Sequence, residues 1–65
     1  MNRNEASVQL DHAYDYVEAA SRCVLDVLDN ALEIDVDKDD LQIAFDELEH
    51  SMETIARNTP KNTDV

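Results

Sequence analysis

Sixty-five residues, of which sixteen are acidic and five basic, give one domain at most and a formal charge of −11. That charge repels nucleic-acid phosphates and anionic lipid, so it excludes direct DNA or RNA binding and favours a cationic protein surface as partner. The 43% apolar content is that of a folded chain rather than a disordered one, yet a chain this short buries only about 60% of the surface it exposes when unfolded.

Helix breakers are almost missing: glycine is absent and the single proline is Pro60. Leu10, Ala13, Val17, Ala20, Val24, Val27, Ala31 and Ile34 follow one another at alternating steps of three and four, a heptad seam rather than the two-residue period of a strand. The spacing predicts a first helix over about 5–33, with Asn4 as N-cap and Glu5 facing the positive end of the helix dipole. Asp11, Asp15, Glu18, Arg22, Asp26, Asp29 and Glu33 fall on the opposite side and form an acidic face that Arg22 interrupts.

A short turn over 34–37 follows. Leu41, Phe45, Leu48, Met52 and Ile55 mark a second helix over about 38–57, with Asp46, Glu49 and Glu53 outward. Asp37 is placed to cap it, Asp39 and Asp40 put negative charge in its first turn, and Val36 can staple onto Leu41. The residue before Pro60 is pushed out of helical geometry, so residues 59–65 are expected to form a disordered tail.

The expected fold is therefore all-α, an antiparallel two-helix hairpin. At ~1.5 Å per residue the first helix overhangs the second by about ten residues, including Val8, Leu10, Ala13 and Tyr14. The stripe formed by Val24, Leu25, Val27, Leu28, Ala31 and Leu32 is wider than one helix covers, so the hairpin is expected to dimerise into a four-helix bundle. In this plan, and in nothing else, the chain resembles the small plasmid RNA-binding Rop proteins. There the first helix presents basic and polar residues to RNA; here the outer face is acidic, so the likeness carries no activity.

Chemical motifs are weak. Asp35, Asp37, Asp39 and Asp46 stand at calcium-loop positions 1, 3, 5 and 12, but Asp40 occupies the place that needs glycine and the segment from Leu41 reads as helix. Helix capping accounts for the same aspartates. His12, Cys23 and His50 are the only soft metal ligands and none is a helical neighbour of another; Cys23 is expected to behave as a small buried hydrophobe. No glycine loop, activated nucleophile or distinct acid and base pair is present, so no catalytic, cofactor or metal residues are assigned and the chain is read as a non-enzyme. The lone cysteine, the lack of a signal-like apolar run and the lack of ~18 consecutive apolar residues lead to an expected cytoplasmic setting away from membranes.

The function expected from these features is that of a homodimeric interaction module that binds and regulates, by inhibition, a partner protein. Its interface is sought among Leu10, Tyr14, Tyr16, Val17, Val24, Leu25, Leu28 and Leu32, with the tyrosines as anchors, or on the acidic face of Asp11, Asp15, Glu18, Asp26, Asp29 and Glu33. Small phage and mobile-element inhibitors and acidic antitoxins fit that class. A second reading is a nucleic-acid mimic: carboxylates four residues apart lie ~6 Å apart along the axis, near the ~7 Å between phosphates of one strand, and could occupy the basic surface of a DNA- or RNA-binding enzyme or repressor. A third is a structural subunit of a larger helical assembly.

Overall fold

A computed structural model describes residues 1–60. Two helices, α1 (Arg3–Asp29) and α2 (Lys38–Asn58), pack side by side as an antiparallel hairpin. The molecule measures 52 × 20 × 14 Å, and its radius of gyration of 15.4 Å exceeds the ~11 Å of a compact domain of this length. It is one helix thick, so most side chains keep access to water.

α1 begins earlier than the spacing predicts. The N-cap is Asn2, not Asn4: its side-chain oxygen accepts from the Glu5 amide at 2.9 Å, while its side-chain amide donates to the Glu5 carboxylate at 3.2 Å. Asn2 and Glu5 thus hold each other in a variant of the capping box.

α1 also ends four residues before the expected Glu33, at Asp29. Its last turn carries Asp26 and Asp29 and no basic residue, which sets carboxylates against the negative end of the dipole, and Glu33 would add another. Asn30 takes the exit: its side-chain amide donates to the Asp26 carbonyl at 2.8 Å and its backbone N–H to the Val27 carbonyl at 3.1 Å. The chain then tightens, with Ala31 N–H donating to Leu28 and Glu33 N–H to Asn30, so the connection runs from Asn30 to Asp37 instead of 34–37. No residue among those described has positive φ; the turn is made without a left-handed cap.

α2 starts where the sequence marks it. The Asp37 carboxylate accepts from the Asp40 amide at 3.1 Å, and Asp39 and Asp40 occupy the first turn. At its other end Thr59 adopts the extended geometry required before proline, and both its N–H and its hydroxyl donate to the Ile55 carbonyl, at 3.0 and 2.7 Å. Thr59 and Pro60, expected in a disordered tail, are instead half-buried and belong to the helix end; residues 61–65 of that tail lie outside the described residues.

The helix-facing side of α1 differs from the predicted seam by a rotation. Ser21, 5% exposed, and Leu28, 8% exposed, are the most buried side chains, with Leu10, Tyr14, Val17 and Val24 half-buried on the same line. Ala20, central to the predicted seam, is exposed. The face turned toward α2 is thus displaced by roughly 50°, half a residue step. Turning inward by that amount brings in Tyr14 and Leu28 while Ala13 and Val27 stay half-buried at the edge, which removes more apolar surface from water. The position between them is Ser21, whose small side chain permits close approach and whose hydroxyl donates to the Glu18 carbonyl at 2.7 Å, so nothing polar is left unpaired. On α2, Leu41, Ala44, Phe45, Leu48, Met52 and Ile55 are half-buried on the corresponding line.

Candidate functional site

The rotation divides the predicted interface. Leu10, Tyr14, Val17, Val24 and Leu28 lie on the face of α1 turned toward α2, inside the hairpin, while Tyr16, Leu25 and Leu32 remain exposed. Tyr14 was expected beyond the reach of the second helix. It lines a shallow recess with Asp11, Ala56, Thr59 and Pro60, so the end of α2 reaches it. The longer turn accounts for this: α1 gives up its last four expected residues, and the overhang shrinks to the segment before Leu10, which carries the exposed Met1 and Val8.

Three flanks of α1 can now be distinguished at 100° per residue. The first, centred on Ser21, faces α2. The second carries Asp11, Asp15, Asp26 and Asp29, all exposed. Glu18, at the border of these two, is half-buried, and its carboxylate is 3.3 Å from the Arg22 guanidinium. Glu33 lies in the turn and not on the helix. The acidic row therefore consists of two carboxylate pairs separated by a locally neutralised stretch.

The third flank is uncharged. Gln9, Ala13, Tyr16, Ala20, Cys23 and Val27 succeed one another at steps of four and three, on the side of α1 away from the acids. Tyr16 is 77% exposed; Ala20 and Cys23 are exposed as well, and Ala13 and Val27 are half-buried. Cys23 is thus not the buried hydrophobe expected of it. No protein-family model, curated protein or solved structure matches this chain. The functional reading accordingly rests on these surfaces.

The remaining candidates fall on separate places. Asp37 caps α2, Asp39 sits in its first turn, and Asp46 accepts from the Gln42 side chain at 3.2 Å, so three of the four calcium-loop positions are engaged in or carried by the helix. Among the described residues no three histidine, cysteine or carboxylate groups converge in a way that could hold a metal ion. His12 is exposed on α1, and His50 lines a shallow depression on α2 with Ile43, Asp46, Glu47 and Ser51. No described helix is long and apolar enough to cross a membrane.

What sequence reasoning missed is the identity of the free flank. Its signal was present in the absence of charge at positions 9, 13, 16, 20, 23 and 27, but the larger residues of the neighbouring line masked it.

Proposed function

We propose that this chain is a non-enzymatic interaction module: two hairpins associate through the uncharged side of α1 into a four-helix bundle, and the acidic flanks left outside engage and inhibit a partner protein with a basic contact surface. The observation that carries this reading is the segregation on α1. Gln9, Ala13, Tyr16, Ala20, Cys23 and Val27 make one flank free of charge, and Asp11, Asp15, Asp26 and Asp29 lie on the other, where the exposed Val8 and Leu25 stand among them. Association through the first leaves the second unobstructed.

The division of the acidic row by the Glu18–Arg22 pair favours a patchwise protein contact over mimicry of a regular phosphate backbone. Such a contact depends on Coulomb attraction and weakens as salt screens it. The test is retention of proteins from the native host by the immobilised chain and by a variant in which Asp11, Asp15, Asp26 and Asp29 are all asparagine. The reading expects basic proteins that the unsubstituted chain holds, that moderate salt elutes and that the variant fails to hold. Equal retention by both chains, or retention indifferent to salt, overturns it.

A further inference from the structure

We infer that residues 30–34 are a charge-gated extension of α1: the helix stops at Asp29 while Asp26, Asp29 and Glu33 are ionised, and gains a turn that seats Leu32 against α2 when a basic surface neutralises them. The gating by a basic surface rests on the partner proposed above; the extension itself does not.

The segment already stands close to a helix. Asn30, Ala31 and Glu33 donate their backbone N–H groups to carbonyls three residues back, at 3.1, 3.2 and 3.0 Å, and Ile34 donates to Asn30 at 3.2 Å, the four-residue step of an α-helix. No described residue has positive φ, so no left-handed cap has to be undone for α1 to continue. Leu32 supplies the gain. It is 98% exposed in the turn, yet at 100° per residue a continued helix carries it to within about 20° of Ser21, on the line of Leu10, Tyr14, Val17, Val24 and Leu28 that faces α2. There it stands one turn beyond the buried Leu28, a spacing at which two leucines meet. α2 does not have to move. Five more helical residues rise ~7.5 Å, and a connection that crosses the about 8–10 Å between helix axes and returns that rise spans ~12 Å, within the ~14 Å reach of the chain from Ile34 to Lys38.

Charge opposes the extension. Asp26 and Asp29 are three residues apart and Asp29 and Glu33 four, so in a continued helix they repel one another beside its negative end. Among the described residues no cation is paired with them: Arg22, one turn before Asp26, is held 3.3 Å from Glu18, and Lys38 forms no ion pair. The other charged groups at this end, Asp35 in the turn and Asp37, Asp39 and Asp40 at the start of α2, are carboxylates too. Neutralising three such charges shifts the ratio of extended to short helix by on the order of tenfold or more.

The experiment reads the Cα chemical shifts of residues 30–34 by NMR in the full chain at low salt. In the unsubstituted chain they are expected to stand apart from the helical values of α1. Asp26→Asn, Asp29→Asn and Glu33→Gln together are expected to move them to helical values, whereas Asp11→Asn, Asp15→Asn and Glu49→Gln, which remove as many charges elsewhere, leave them unchanged. Leu32→Ala is expected to lower Tm by about 4–8 °C in the first variant and by less than half as much in the unsubstituted chain. Helical shifts through residue 34 in the unsubstituted chain, or non-helical shifts in the neutralised variant, overturn the extension whatever partner the protein has. Hexalysine added to the unsubstituted chain is expected to produce the same shift changes as neutralisation. If the neutralised variant extends and hexalysine leaves residues 30–34 unchanged, gating by a basic surface is overturned and the extension stands.

Discussion

Ser21 offers a test of the hairpin whose sign, and not only its size, separates the alternatives. It is 5% exposed on the α1 face that meets α2, and its hydroxyl is already satisfied by the Glu18 carbonyl. Replacing it by leucine inserts extra carbon atoms between two helices that a small residue holds close, which costs about 1–3 kcal/mol. For a two-state chain of this size that corresponds to a fall in Tm of roughly 4–20 °C. Ser21→Ala loses one local hydrogen bond but improves helix propensity, and the two nearly cancel to within ~0.5 kcal/mol. If Ser21 instead faced solvent, as the seam through Ala20 implies, leucine would stabilise α1 by a few tenths of a kcal/mol through propensity alone. Thermal unfolding followed by far-UV circular dichroism reads the difference. All variants are compared at one protein concentration, because association shifts Tm by mass action. A Ser21→Leu chain that melts at or above the unsubstituted chain refutes the packing of α1 against α2 described above.

Two further changes examine the same hairpin. Leu28→Ala is expected to cost about 2–3 kcal/mol in chemical denaturation, the low half of the usual range because its surroundings are close to solvent, whereas the same truncation at the exposed Leu25 costs less than half as much. Equal losses at the two positions would show that Leu25 is covered to the same degree. Asp37→Ala removes the side-chain acceptor of the Asp40 amide and is expected to cost about 1 kcal/mol, with Asp37→Asn nearly neutral, in the same assay. A loss as large for asparagine as for alanine would point to charge rather than the cap.

The two helices were legible because nothing in the chain opposes them and the three-and-four spacing is long. The start of α2 was legible for a local reason: Asp37, Asp39 and Asp40 satisfy and complement the first turn whatever the rest of the molecule does. The end of α1 was not, because the apolar spacing continues through Ala31 and Ile34 while Asp26, Asp29 and the Asn30 side chain terminate the helix from within. The rotation of α1 was hidden for another reason. Two adjacent heptad lines, one through Ala20 and one through Ser21, are both free of charge, and the choice depends on side-chain size at Tyr14 and Leu28, which a pattern of apolar and polar positions does not record. That same ambiguity placed Leu28 in the expected intermolecular interface and Cys23 in the interior.

The thinness of the hairpin has a consequence for how such a sequence can change over time. With Leu28 the one buried apolar side chain among the described residues, only a short line of positions is held to a particular size, and Asp11, Asp15, Asp26 and Asp29 lie on another flank. Substitutions away from such features usually shift stability by less than ~0.5 kcal/mol. The acidic flank can therefore be rewritten, residue by residue, with little penalty to folding. Under the proposed function, the surface that recognises a partner and the line of contacts that holds the hairpin together can change separately.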